Sequence, residues 1–545
     1  MNIIYSENTI PVCTSRTLIL LPDYHGSSLT YLWDDYSYKT TFKAYIYIND
    51  RKIDLGYIKI LFNGHSNSHE YIKSNFSLST PNIYHLKELS QHTFVSIGSD
   101  IDYYKKLNTI TSNRFKKRLL QSLNDASYFS SKVDSFKLWD GFQESLLRDS
   151  SDSAIINKGF PIAMGKYKPL VKFDFPSNVD ENKSVTFQFD KNSQFSGNIN
   201  VIVGKNGLGK TRTLQSIANN YINIEKTNND LPFFLRLIVV SFSPFDSFLT
   251  TSDLKKITDR GYNETESEER DDRSELTNDY SYIGLKSDDG GINFDEASNK
   301  SAAALISAII DDHENGWFRD FEKLELIVDT LKLAIDFDEI AIKKNDGDIL
   351  FSKDLYRFAL TQKNVKPLDR EMYEIVLLSY SGDALKLSSG QKIYSLMIPR
   401  IISELTEESL ILIDEPELYL HPELEIGLMS MLKLILKKTS SFCIIATHSS
   451  IIVREIKREF VHVFRGPNNI LKPEIETFGN SLDEITGYVF NDYNTHKPYQ
   501  ELIKLLLESG KYASIENAIQ ELSNEVGDSA LSYLYQLKRA EISND

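Results

Sequence analysis

Eight consecutive residues, Gly204-Lys205-Asn206-Gly207-Leu208-Gly209-Lys210-Thr211, follow the pattern G-x-x-x-x-G-K-[ST]. Glycines at those places let backbone N–H groups wrap a chain of phosphates, while the N-terminus of the next helix points at the anions. The lysine then reaches the terminal phosphates, and the threonine hydroxyl joins the oxygen shell of a magnesium ion. Far downstream, the apolar run Leu410-Ile411-Leu412-Ile413 ends in Asp414-Glu415. A hard cation prefers oxygen ligands, so Asp414 is suited to hold magnesium through water. Glu415 is placed to take a proton from an attacking water. Alone, an Asp-Glu pair after a strand is an ordinary turn; beside a phosphate loop the chemical reading is the stronger one. Thr447-His448-Ser449 closes another apolar run, Phe442 to Ala446.

These side chains can act together only if strands and helices carry them to one edge. Ile199 to Val203 reads as the strand before the phosphate loop, and a helix is expected from Thr211. Two further short strands, Val171 to Phe175 and Val185 to Phe189, are separated by turn-rich Pro176-Ser177-Asn178, and the apolar run Phe233 to Val240 follows the helix. Beyond Ser409 the pattern is strand, helix, strand, helix: Leu410 to Ile413, Leu424 to Leu436, Phe442 to Ala446, Ile451 to Arg458. Such alternation predicts a parallel sheet with helices packed on it, an α/β fold.

Upstream, Phe42, Ala44, Ile46 and Ile48 alternate before Asn49-Asp50-Arg51 and Ile58, Ile60, a hairpin signal. Phe115, Leu119 and Leu123 put an apolar stripe on one face of a helix over Arg114 to Ala126. In the tail, Ser481 and Glu484 are spaced as a capping box, and Ser514 precedes Ile515, Ala518, Ile519 and Leu522. The chain thus divides into a mixed α+β region, 1–165, a core, 166–480, with a helical and acidic insertion at about 250–385, and a helical tail, 481–545.

The 545 residues carry 77 acidic and 61 basic side chains, a net charge of −16, which disfavours a role in coating DNA. Arg114, Lys116, Lys117 and Arg118, like Arg454, Lys457 and Arg458, read as solvated helix faces. The acidic stretch Asn263 to Glu275 reads as an exposed, self-repelling loop. No long apolar window is present and the start lacks a basic, then apolar, leader, so neither a membrane span nor a secretory signal is expected. Cys13 and Cys443, far apart, predict no disulfide framework; a reducing, cytoplasmic setting is expected. His65, His69 and Glu70 have ligand-like spacing, but no Cys pair or second His pair completes a metal set, and a surface loop is expected there.

Leu387-Ser388-Ser389-Gly390-Gln391 precedes Asp414, and the four elements in this order resemble a soluble ABC-type ATPase. The resemblance implies an ABC-type P-loop ATPase head that uses ATP and Mg²⁺. Gly204, Asn206, Gly207, Gly209, Lys210, Thr211 and Arg212 would bind nucleotide, Thr211 and Asp414 the metal, and Glu415 and His448 would be catalytic. It also implies that Ser388, Ser389 and Gly390 reach the nucleotide of a second copy, so that ATP sits inside a homodimer. One departure stands out: no glutamine occurs between Gln215 and Gln362, where the family's Q-loop glutamine belongs. Its place is taken by Ser241-Phe242-Ser243-Pro244-Phe245-Asp246, with Ser243 and Asp246 as candidate replacements.

Glu417-Leu418-Tyr419-Leu420-His421-Pro422 resembles the PExxLHP run of overcoming-lysogenisation-defect-like and defence ATPases. No heptad repeat of SMC type and no D-x-D cluster of a Toprim nuclease is expected. Asp34 to Phe42, Ile97-Gly98 with Asp102-Tyr103-Tyr104, and Glu144-Ser145-Leu146-Leu147-Arg148 resemble the PtuA-type ATPases of Septu and retron-linked antiphage systems. That resemblance implies a separate HNH endonuclease partner, PtuB-like, and in some systems a reverse transcriptase with its RNA–DNA hybrid. The alternative is a RecF-like repair ATPase acting on DNA directly, which the net charge disfavours.

Overall fold

In a computed structural model, the alternating N-terminal segments assemble into one seven-stranded sheet. Its strands are β1 (Asn2–Ser6), β2 (Thr17–Pro22), β3 (Thr41–Ile48), β4 (Arg51–Phe62), β5 (Ser77–Thr80), β6 (Ile83–His85) and β7 (Phe94–Gly98). The order is β5-β6-β1-β2-β3-β4-β7, with β1 and β2 parallel and the other neighbours antiparallel. The structure describes residues 2–11, 13, 16–23, 38–48, 51–110, 112–147, 152–169, 171–180, 183–222, 234–254, 280–287, 291–362, 373–466, 469–490 and 497–544. The turn at Asn49-Asp50, Asp34 to Ser37, Arg148 and the acidic run at 263–275 lie outside them.

Helices Ile101–Ile110 and Asp152–Ala163 pack on this sheet. Gly98 leaves room for them: a Cβ there would run into the rings of Tyr103 and Tyr104. The Tyr104 hydroxyl accepts from the Gly98 N–H at 3.0 Å and donates to buried Asp125 at 2.9 Å.

Three local expectations change here. The helix expected over 114–126 runs from Asn113 to Ser122, because Ala126 leaves it to bond the Ser96 carbonyl of β7. Lys116 is not on a solvated face: it is buried, donating to the carbonyl and side-chain oxygens of Asn108 at 2.9 and 2.8 Å, while Arg114, Lys117 and Arg118 are exposed. His69 is in no loop. It lies in helix Ser68–Asn75, buried, stacked on Phe42 at 4.1 Å and bonded to Tyr5 and the Thr41 carbonyl.

The next strands, β8 (Lys172–Asp180) and β9 (Lys183–Asp190), form a hairpin. β8 continues through Pro176-Ser177-Asn178 instead of turning there; each strand of a two-stranded ribbon is an edge strand, the kind that admits proline.

Continuous apolar runs then supply the central sheet: β10 (Ile199–Gly204), β11 (Leu237–Ser241) and β12 (Tyr280–Gly284). After β13 (Glu339–Lys344), β14 (Ile349–Leu350) and β15 (Tyr373–Leu378) come β16 (Leu410–Asp414), β17 (Phe442–Thr447), β18 (Val461–Gly466) and β19 (Asn469–Leu471). The central order is β12-β11-β16-β17-β10-β18-β19, parallel except for the β18–β19 pair. Such a sheet must be covered on both faces. One face meets helix Lys210–Tyr221, with Leu214 and Ile217 against Leu237, Val239, Leu410, Leu412, Ile444 and Ala446. On the other, Val240 and Ile413 lie with Tyr394 and Met397 of helix Ser389–Glu404 and Leu428 of helix Pro422–Thr439.

The inserted segment is more than helical. Helices Phe294–Asn315 and Lys323–Leu331 accompany a three-stranded antiparallel sheet, β14-β13-β15. Ser301 of the longer helix donates to the Ser395 carbonyl at 2.7 Å, tying the insert to helix Ser389–Glu404.

By internal contacts the chain forms two units, Met1–Gly479 and Asn480–Asp545. The second holds helix Leu482–Phe490 and three helices, Pro498–Glu508, Ile515–Leu522 and Asp528–Asn544, that share a core of Ile503, Ala518, Ile519, Leu522 and Leu534. Ser514 caps its helix by accepting from the Asn517 N–H at 3.2 Å. Among the described residues no helix is long and apolar enough to cross a membrane.

Candidate functional site

β10 delivers the chain to the phosphate loop at Gly204, where a Cβ would lie 2.5 Å from the Phe464 carbonyl oxygen of β18. Gly207 and Gly209 hold φ of +78° and +92°, a backbone that side chains rarely adopt, and Gly209 caps helix Lys210–Tyr221. Lys210 is only 5% exposed. Its Nζ donates to the carbonyls of Gly204 and Lys205 at 3.1 and 3.4 Å and lies 2.5 Å from His448 Nε2. Burial lowers its pKa, against the pull of Glu415, Asp414 and Glu417.

Thr211 Oγ1 donates to Asp414, 3.0 Å from each carboxylate oxygen. Asp414 is 3% exposed, and burial pushes its carboxyl up to about 7; the Thr211 bond and Lys210 pull it down, while Glu415 and Asp246 add to the rise. A hydroxyl and a buried carboxylate at contact fit a hard divalent cation, whose charge would favour the ionised form. Among the described residues no group of three or more His, Cys, Asp or Glu could hold a metal alone. A cation here would therefore draw most of its ligands from phosphates and water, the habit of magnesium.

Glu415, the first residue past β16, has left-handed backbone, φ 45° and ψ 56°. That conformation is uncommon outside glycine, and the Glu415 N–H secures it by donating to the Ala446 carbonyl at 2.8 Å. Its Oε1 lies 3.4 Å from His448 Nε2. Burial and Lys210 lower the pKa of His448, outweighing Glu415, so a neutral imidazole stands between the lysine and the glutamate. The His448 N–H donates to Glu417, whose other carboxylate oxygen is buried. Sequence reasoning gave Glu417 no role in the site; its only signal was its place in the PExxLHP run.

Lys210, Thr211, Asp414, Glu415 and His448 are thus brought together. Asn206 and Arg212 are exposed at the mouth of the loop and the start of its helix. Ser388, Ser389 and Gly390 sit apart, at the N-terminus of helix Ser389–Glu404. Ser388 and Gln391 form a capping box, with bonds of 3.3 and 3.0 Å, and both serines are exposed. Gly390 is buried, and a Cβ there would lie 2.5 Å from Leu424 Cδ1. Of the two candidate Q-loop replacements, Asp246 is engaged, 2.6 Å from Lys286 Nζ and 2.7 Å from the Tyr282 hydroxyl. Ser243 is half-buried and accepts from the Phe245 N–H at 3.3 Å.

Residues 199–454 match the family profile described as "AAA domain, putative AbiEii toxin, Type IV TA system". The fold is α/β, a parallel sheet whose strand β10 leads through a phosphate loop into helix Lys210–Tyr221. Along its length the chain is similar to protein ea59 of Escherichia phage lambda, 28% identical over 524 residues and covering 91% of each chain. Among solved structures it is similar to the SMC head domain from Thermotoga maritima, at 12% identity and a TM-score of 0.26, over 56% of this chain and 100% of that one. A nucleotide-free ATP-binding cassette from an ABC transporter matches at 14% identity and a TM-score of 0.26, over 60% of this chain and 100% of that one.

Proposed function

We propose that the protein binds ATP with Mg²⁺ at this site, hydrolyses it, and acts as the regulatory ATPase subunit of an antiphage defence complex. The observation that carries the reading is the convergence of Lys210, Thr211, Asp414, Glu415 and His448 at the C-terminal ends of β10, β16 and β17. The phosphate loop and Lys210 would hold the triphosphate; Thr211 and Asp414 would hold Mg²⁺, which when bound supplies positive charge against the phosphates. A water oxygen attacks the γ-phosphorus, Glu415 takes its proton, and the bond to the β,γ-bridging oxygen breaks, leaving ADP and inorganic phosphate. His448, held through its backbone by Glu417, would contact the γ-phosphate.

The exposed turn Ser388-Ser389-Gly390 opens a helix, and a helix N-terminus suits an anion. This supports a homodimer in which each copy lends that turn to the other's nucleotide. The toxin–antitoxin description of the matching profile and the N-terminal resemblance to PtuA-type ATPases support a defence role. The proposed partners are an HNH endonuclease subunit and, in a retron setting, a reverse transcriptase with its RNA–DNA hybrid. Co-purification from the native operon, with mass spectrometry and nucleic-acid staining, tests the partners.

For the site, Lys210→Ala should abolish ATP binding in calorimetry. Glu415→Gln should bind ATP, stall turnover and run as a dimer in light scattering. Normal turnover by the glutamine variant would remove Glu415 as the base.

A further inference from the structure

The alternation of β11 and β16 decides which side chains face helix Lys210–Tyr221 at the edge where the phosphate loop lies. Leu237 and Val239 belong to the core beneath that helix, so Ser241, two residues on, points to the same face. Leu410 and Leu412 do likewise and deliver Asp414. Register pairs Ser241 directly with Asp414, and neighbouring strands lie about 4.8 Å apart.

Ser241 is 1% exposed, and its Oγ is buried without a hydrogen-bond partner among the described residues. Buried hydroxyls are normally satisfied, so one left unpaired beside a cation-type carboxylate asks for a ligand.

The surroundings hold this residue in place. The Tyr282 hydroxyl lies 3.3 Å from the Ser241 carbonyl and donates to Asp246, itself ion-paired with Lys286 at 2.6 Å. Gly284, in register with Ser241, makes room: a Cβ there would collide with the Ser241 carbonyl and the Tyr282 hydroxyl. Asp246 and Lys286 thus pair with one another behind the strand end, while Ser241 Oγ has no partner among the described residues.

The geometry points to Ser241 Oγ as a third protein oxygen of the divalent-cation site of Thr211 and Asp414, in the place where no glutamine is available. The inference rests on the reading that these two residues hold Mg²⁺ with a nucleoside triphosphate. Lys286, Tyr282 and Asp246 are positioning residues, acting through the backbone of Ser241.

The test is ATP affinity, by calorimetry on the full chain, in EDTA and with Mg²⁺ or Cd²⁺, for wild type, Ser241→Ala and Ser241→Cys. Binding of Mn²⁺ with ATP, followed by electron paramagnetic resonance, gives a second readout independent of turnover. In EDTA both variants should match wild type, which shows that the phosphate loop is folded. Both should lose about tenfold of the affinity that Mg²⁺ adds, and the cysteine variant should regain it with Cd²⁺, because a thiol favours soft metals. Variants that keep the full Mg²⁺ gain overturn the inference alone. A wild-type protein that binds ATP no better with Mg²⁺ than in EDTA overturns the underlying cation reading, and the inference with it.

Discussion

At the scale of single residues, burial decides what each polar group can do. The sequence resemblance makes His448 catalytic and the spacing leaves His69 in a surface loop; in the structure their surroundings separate them. His69 is sealed between Phe42, Tyr5 and the Thr41 carbonyl, and burial pushes its pKa down to about 3. The unfolded chain binds that proton near pH 6.5, so the stability due to neutral His69 is complete above 6.5 and is lost as pH falls toward 3. Between pH 6.5 and 5 the loss should come to about 2 kcal/mol. In urea unfolding, wild type should lose that much more than His69→Gln over this interval; equal losses would mean that His69 charges without cost. His448 instead faces Lys210 and Glu415, where a neutral ring can respond to an incoming phosphate.

Among the elements, β16 links two regions of the first unit. At its C-terminal end it presents Asp414; at its start, Glu408 is buried against helix Asp152–Ala163. Lys158 Nζ is 2.7 Å from Glu408, with side chains 10% and 2% exposed, and Tyr167 also donates to that carboxylate. Lys105 reaches Glu407 at 3.4 Å nearby. Breaking a buried pair on one side leaves a charge short of compensation, so Lys158→Met should cost about 3 kcal/mol in denaturant unfolding. The double variant Lys158→Met, Glu408→Gln should recover most of it. If the single variant is as stable as wild type, the contact does not clamp the N-terminal region to the strand that carries Asp414.

Over the whole molecule, the two units have separate cores: two clusters in the first, one on each seven-stranded sheet, and one in the second around Ile503, Ala518 and Leu534. A chain ending after Gly479 should therefore keep ATP affinity within about twofold of the full chain, measured by calorimetry. A larger loss would give the last helices a part in the nucleotide site. The phosphate loop, the strand ending in Asp414-Glu415, the strand before His448 and the parallel α/β character were all legible in sequence, because motif spacing and apolar runs are local. The sealed His69, the buried Lys116, the strand that runs through Pro176 and the sheet inside the insertion were not. His69 is sealed by residues far away in the chain, while Lys116 turns in to Asn108 and Pro176 lies in a hairpin with β9, contacts that charge and turn residues do not disclose. The same holds for Ser241, one polar residue at the end of an apolar run. Only the pairing of β11 with β16 sets Ser241 in register with Asp414, its hydroxyl without a partner among the described residues, because register between strands far apart in the chain is a property of the folded sheet.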